Sequence, residues 1–374
     1  MRVGIVCYPS IGGSGMVATE LAIDLAARGH EVHIISFATP FRLRRFMHNI
    51  TFHPAEHIDY PLFNQSLATF ALTAKIIEVV EAYDLEVIHA HYSVPHSICA
   101  HLAREISKRR FGIVTTLHGT DVTIVGRDKP LYPLNRYGIE QSDIVTTVSD
   151  FQRRFTLEEF RLDKDIRVVH NFIDTDVFNP DAADPGGRAC LADGDEKIVM
   201  HISNFREVKN VEGVIRAFAH AAGQVDVRLA LIGDGPDLVK IRNTCRELSL
   251  CDRIAYVGTM DNPETILPLA DCVLQPSYRE SFGMVLLEAM ACGVPTVSSN
   301  VDGIPEVVAH GETGFMAGPD DHEALGEYIV QLCRDAGLRQ RLGRQGRDRA
   351  SRLFRKDLIV PQYLQCYDDS RKSR

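Results

Sequence analysis

"YRESFGMVLLEAMACGVPT", Tyr278 to Thr296, carries two glutamates, Glu280 and Glu288, at either end of a short apolar segment. Within it, "SFGMVLLEAMACG" has the alternation of apolar and small residues expected of a buried helix, and the Gly-Val-Pro that follows is a helix stop. Glutamate at a helix start complements the dipole, which accounts for Glu280. Glu288 falls inside the apolar run, where an unpaired carboxylate is expensive to bury, so it is expected to be paired or to bind something. The next run, "VPTVSSN", reads as a strand, so this stretch is one helix and one strand of a longer alternation.

Working outward, short Val/Ile-rich runs alternate with helical patterns along most of the chain, which predicts βαβ units and parallel sheets. In the first half the expected strands are "RVGIVCYP", "EVHIISF", "LEVIHAH", "GIVTTLH", "DIVTTVS" and "DIRVVHN". A second series follows in "KIVMHIS", "VRLALIG", "DRIAYVG", "DCVLQPS" and "VPTVSSN", with helices beginning near Asn210, Pro236, Pro263 and Ser281. The fold class is α/β with two Rossmann-like domains. The seam is expected near "NFIDTDVFNP", before the polar surface loop "DAADPGGRACLADGDE". An amphipathic end, "KDLIVPQYLQCYDD", can return to the first domain. The expected boundaries are therefore 1–172 plus 355–374 for one domain and 173–354 for the other. Active sites of such sheets lie at the carboxyl ends of the strands, and two facing sheets would place one in a central cleft.

At 374 residues the chain can form two domains, each with a substantial core. Its formal charge of −9 argues against broad nucleic-acid binding while leaving room for a local basic pocket. Nine cysteines without a CxxC pair or zinc spacing fit a reduced cytoplasm. No run approaches the ~20 apolar residues of a membrane span, so a soluble, cytoplasmic protein is expected.

Four stretches at strand ends carry the chemistry. "CYPSIGGSGMVATELA" closes the first strand with Gly12, Gly13, Ser14 and Gly15, whose amides at a helix start can hold an anion or simply permit a tight turn. The spacing is not G-x-G-x-x-G, and the second strand ends "HIISFATP" without an acidic residue, which argues against NAD. "TTLHGTDVT" places His118, Gly119, Thr120 and Asp121 just past a strand, and "HYSVPHS" does the same for Tyr92 and Ser93. "HISNFREVKN" offers Asn204, Arg206 and Lys209 on the loop after the second domain's first strand, where two cations suit a diphosphate. "LIGDGPD" adds a glycine turn with Gly233 and Gly235.

This pattern resembles the GT-B glycosyltransferases over nearly the whole chain, specifically the large retaining family four. Its most specific part is E-x7-E, here Glu280 and Glu288 with Phe282 and Gly283 between them, followed by "EAMACGVPTV". The resemblance implies that Glu280 touches the donor sugar's hydroxyls and Glu288 the ribose of the nucleotide. One departure stands out. Many relatives have an arginine where this chain has Asn204, five before Lys209, which passes the phosphate role to Lys209 with Arg206. Within the family, the pattern further implies transfer of N-acetylglucosamine from UDP-N-acetylglucosamine to L-malate, with retention and with no cofactor or metal. Transition-state charge would fall to Arg206, Lys209 and the amides of Gly13 and Ser14, while His118 positions substrate near the leaving group. Malate is a dianion; Arg136 is the first choice to meet it, with Ser14, Tyr92 and Thr116 donating hydrogen bonds and Arg127 and Lys129 flanking. A salt bridge from Arg136 to Glu140, one turn on, is the plainer alternative. "DTD" at Asp174 to Asp176 reads as a turn.

No nucleic acid and no membrane is expected as partner, and a homodimer is a candidate assembly. An epimerase acting on the same donor, a dehydrogenase, a noncatalytic sugar binder, and a glycosyltransferase for inositol phosphate or a glycan are the competing readings.

Overall fold

The computed structural model describes residues 1–9, 13–40, 42–43, 47–56, 67–123 and 125–372. Gly12 lies outside the described residues. The chain forms two compact units, Met1–Phe172 with Lys356–Arg374, and Ile173–Arg355.

The first unit is a seven-stranded parallel sheet: β1 (Arg2–Val6), β2 (Glu31–Ser36), β3 (Ile50–Pro54), β4 (Val87–His91), β5 (Gly112–Leu117), β6 (Ile144–Thr147) and β7 (Ile166–Val168). Their order is β3-β2-β1-β4-β5-β6-β7. β1, β4 and β5 are buried nearly throughout, as strands covered on both faces must be. β3, "ITFHP", was not among the expected strands; it is a half-exposed edge strand whose polar positions break the apolar run. The helix Lys356–Lys372 packs on this sheet, burying Tyr363 and Tyr367 fully. Arg167 to Asp369 at 2.8 Å and Arg371 to Glu86 at 3.2 Å tie its end down.

The second unit repeats the plan with β8 (Lys197–Ile202), β9 (Val227–Ile232), β10 (Ile254–Gly258), β11 (Cys272–Gln275), β12 (Thr296–Ser299) and β13 (Gly314–Ala317). The order is β10-β9-β8-β11-β12-β13, again all parallel. β13, "GFMA", was not among the expected strands; it is a partly exposed edge strand with no Val or Ile to mark it. The helix expected near Pro263 is instead two three-residue 3-10 turns, Pro263–Thr265 and Leu267–Leu269. Pro268 has no N–H to donate, which disfavours a longer helix there.

In both sheets the strand order reverses once, at β1/β4 and at β8/β11. Such switch points open a crevice at the carboxyl ends of the strands, where ligands bind in doubly wound folds. The loops after these strands carry most of the residues singled out in the sequence.

Candidate functional site

In the second unit, Lys209 ends a 3-10 turn after β8 and Glu280 sits on the loop after β11. Lys209 Nζ lies 2.6 Å from a Glu280 carboxylate oxygen, with side chains 21% and 16% exposed. Local backbone bonds bring them there. Tyr278 N–H donates to Val208 O at 2.9 Å, joining the two loops directly. Asn210, with φ 50°, caps the helix Val211–Ala222 through Oδ1 while its Nδ2 donates to the carbonyls of Pro276 and Pro319 at 3.1 and 2.9 Å. Asp302 accepts from the N–H of Glu280 at 3.1 Å and pairs with Arg279 at 2.6 Å. None of these loop-pinning roles for Asn210, Asp302 or Val208 was visible in the sequence.

Glu280 is not a dipole partner. The helix runs from Met284 to Ala291 and has no acidic residue in its first turn, so Glu280 is free for Lys209. Glu288 lies within that helix, only 4% exposed. Gly283 caps it with φ 100°, a left-handed conformation that strains any side chain. Phe282 was expected at the donor, but its ring is 2% exposed and packs edge-on against Phe354 at 5.5 Å, so the side chain serves the core. Gly233, with φ 122°, comes so close to the preceding strand's loop that a Cβ would lie 1.8 Å from Ser203 O. Its glycine is thus required to bring the loops after β8 and β9 together. Asn204 and Arg206 are exposed on the loop before Lys209. The sequence Asp174 to Asp176 forms a turn, Asp176 N–H donating to Asp174 Oδ1 at 3.0 Å.

In the first unit, β4 and β5 run with His91 beside Thr116, so their end loops are neighbours. Tyr92 N–H donates to Thr116 O at 2.9 Å, and the Tyr92 and His118 rings are 5.5 Å apart. His118 is half-buried, and its Nε2 lies 2.9 Å from Nδ1 of the fully buried His91. Burial lowers the His118 pKa to about 3, with His96 adding to the shift, so the ring is neutral near pH 7. Asp121 accepts from the N–H groups of His118 and Gly119 at 3.1 and 2.9 Å and of Ser93 at 3.3 Å. Burial pushes its carboxyl up to about 6, against the pull of those donors. His91 and His96 were missed in the sequence because nothing in "HYSVPHS" shows that β4 ends against β5.

Ser14 opens the helix Ser14–Ala27, directly after Gly13, and is 6% exposed. The first amides of any helix lack intrahelical partners, so those of this turn are available to an anion. Thr116 is a correction. Its hydroxyl is fully buried, 2.6 Å from both His89 Nε2 and Thr146 Oγ1, and is spent there rather than offered to an acceptor. Arg136 lies on the helix Tyr132–Gln141 with its guanidinium 2.9 Å from Glu140, the plainer of the two expectations, and both side chains are well exposed. Arg127 pairs with Glu159 at 3.3 Å, and Lys129 is exposed. Among the described residues no group of three or more His, Cys, Asp or Glu side chains could hold a metal ion, and no helix is long and apolar enough to cross a membrane.

Two family models match the chain: "Glycosyltransferase Family 4" over residues 11–177 and "Glycosyl transferases group 1" over residues 188–349. The N-acetyl-alpha-D-glucosaminyl L-malate synthase of Bacillus anthracis is 44% identical over 370 residues, 99% of this chain and 97% of that protein. The D-inositol 3-phosphate glycosyltransferase of Mycolicibacterium smegmatis is 27% identical over 96% of this chain and 88% of its own length. Among solved structures, sucrose-phosphate synthase from Thermosynechococcus elongatus superposes with a TM-score of 0.83 at 23% identity, covering 100% of both chains. Anabaena HepE in complex with UDP and glucose gives 0.82 at 20% identity, covering 98% of this chain and 99% of that one. The repeated switch-point architecture, the matched halves and the end-to-end identity together establish that the chain is an enzyme of the GT-B glycosyltransferases, in the family of the N-acetyl-alpha-D-glucosaminyl L-malate synthase.

Proposed function

We propose that the enzyme transfers N-acetylglucosamine from UDP-N-acetylglucosamine to the hydroxyl of L-malate with retention, releasing UDP, as the opening step of bacillithiol biosynthesis in the cytoplasm. The observation that carries this reading is the 44% identity to the Bacillus anthracis synthase, which runs through both units at 99% coverage. In this reading the second unit holds the donor: Glu280 at the sugar hydroxyls, Glu288 at the ribose, and Lys209 with Arg206 at the diphosphate. Asn204, Gly233 and Gly283 shape the loops that carry them.

Leaving of UDP develops negative charge on the phosphate, and cations already in position stabilise it without reorganisation. Lys209 is held in place by Glu280, and the amides of Gly13 and Ser14 add a second anion-stabilising group. These take the part a metal ion plays in other transferases, so turnover is expected in chelator. The departing phosphate oxygen accepts the proton of the attacking hydroxyl on the same face, which leaves His118 to orient substrate rather than to take a proton. Arg136 is the acceptor-side cation, with Tyr92 and Ser14 beside it in role. An exposed pair such as Arg136 with Glu140 contributes only about 0.5 kcal/mol, so a malate carboxylate can replace Glu140 at little cost.

The test is UDP release from UDP-N-acetylglucosamine with and without L-malate, in chelator, with the product read by mass and anomeric coupling. Malate-dependent formation of an α-linked product supports the whole reading. Release with D-inositol 3-phosphate instead would favour the acceptor named for the mycobacterial relative. Release without any acceptor would point to hydrolysis or epimerisation. His118→Ala is expected to lower turnover by about a hundredfold while UDP affinity stays the same; an unchanged rate would remove His118 from the site.

A further inference from the structure

His91 and His118 share one contact, between His91 Nδ1 and His118 Nε2 at 2.9 Å, with their rings stacked at 5.1 Å and 21°. A single hydrogen bond needs one nitrogen to carry the proton and the other to be bare. The opposite nitrogen of His91 decides which. His91 Nε2 is buried and has no hydrogen-bond partner among the described residues. His89, whose ring lies 4.2 Å from that of His91, cannot serve, because its Nδ1 faces Tyr367 Oη at 2.8 Å and its Nε2 faces Thr116 at 2.6 Å.

A proton on His91 Nε2 would therefore be a buried donor with nothing to receive it. A bare lone pair at the same place is the cheaper arrangement, since buried orphan N–H groups are rarer than under-used acceptors. The His91 proton then sits on Nδ1 and is donated to His118 Nε2. His118 is neutral, so its own proton must be on Nδ1. That nitrogen makes no hydrogen bond with the described residues, and His118 is only partly buried, which leaves Nδ1 to meet a substrate.

We infer that His91 is a positioning residue that locks His118 in the Nδ1–H tautomer, so that His118 presents a hydrogen-bond donor to a substrate oxygen and has no lone pair there to abstract a proton. This rests on the reading of His118 as a substrate-contacting residue. Backbone contacts hold the two rings in register: His96 Nδ1 bonds the His91 carbonyl, and Asp121 accepts from the His118 N–H at 3.1 Å. A donor that cannot become a base suits a step in which the leaving phosphate takes the proton.

The experiment is a two-bond proton–nitrogen correlation spectrum of the full-length enzyme labelled with 15N-histidine at neutral pH, the His118 signals being assigned by their loss in His118→Ala. A protonated Nδ1 with a bare Nε2 is expected. A protonated Nε2, or a doubly protonated ring, would overturn the inference. His91→Leu removes the donor and is expected to move the His118 proton to Nε2 and to lower kcat roughly tenfold at unchanged UDP affinity, about the worth of one hydrogen bond. His91→Asn, which returns an N–H near the old Nδ1, should restore most of that loss. A Leu variant with the wild-type tautomer and kcat would also overturn it, and should that variant fail to fold, the wild-type spectrum decides alone. The two readings fail separately: the spectrum judges the lock, and the turnover of His118→Ala judges whether His118 meets substrate.

Discussion

Lys209 and Glu280 show how a residue's role depends on its neighbour. Each was legible in the sequence as a charge at a strand end, but their 2.6 Å contact joins positions 71 residues apart. Removing Lys209 leaves Glu280 without this partner and takes away the cation beside the leaving phosphate. Lys209→Ala is accordingly expected to lower kcat by about 10²- to 10³-fold, the usual cost of losing one group that stabilises developing charge. Steady-state turnover beside calorimetric UDP affinity checks this, and a loss in affinity alone would contradict it. The two glutamates should separate in the same assays. Glu288→Gln is expected to weaken UDP binding by about tenfold with little change in kcat, and Glu280→Gln to lower kcat with UDP affinity retained. Equal effects on both parameters in both variants would sink the division of labour.

At the scale of elements, position 210 couples a helix to a loop. Asn210 caps Val211–Ala222, holds a left-handed φ of 50° and bonds the carbonyls of Pro276 and Pro319. Asn210→Ala loses all three and is expected to destabilise the second unit by about 2 kcal/mol. Turnover should also fall, because Lys209 is the adjacent residue, and thermal unfolding measured alongside kcat tests both. Gly233→Ala should be worse still, since the added Cβ would meet Ser203 O at 1.8 Å. Soluble, active Gly233→Ala enzyme with the wild-type melting temperature would refute that close approach. Most central elements could be anticipated, because a strand covered on both faces shows a continuous apolar run. β3 and β13 could not, since each is a partly solvated edge strand, "ITFHP" and "GFMA", without the Val/Ile-rich run that marks the others.

The molecule as a whole carries its buried histidines unevenly. His89, His96 and His101 are buried in the first unit, with pKa values lowered by burial to about 3, 4 and 4. In the second unit His201 is likewise buried and lowered to about 4. A histidine whose folded pKa lies below its unfolded value of about 6.5 contributes stability that is present above pH 6.5 and lost as pH falls toward the folded value. Asp121 works the other way: raised to about 6, it favours the fold as pH drops from 6 toward 4, but it is one group against these three together with His53, His91 and His118, which burial lowers as well. The first unit is therefore expected to lose protection before the second as pH falls from 6.5 to 4. The chain has no tryptophan, so hydrogen exchange read by mass spectrometry is the suitable probe. Earlier loss in Ile173–Arg355 would contradict the prediction.

By itself the sequence determined the α/β class, the two series of strands and the charged residues at their ends, because apolar periodicity and loop chemistry are local properties of the chain. Tertiary structure decided which of those residues meet. It paired Lys209 with Glu280, turned Phe282 and the Thr116 hydroxyl into the interior, set Arg136 on Glu140 and stacked His91 on His118. Such contacts join residues far apart in the chain, or choose between directions that sequence spacing leaves equivalent, so only the folded backbone selects them.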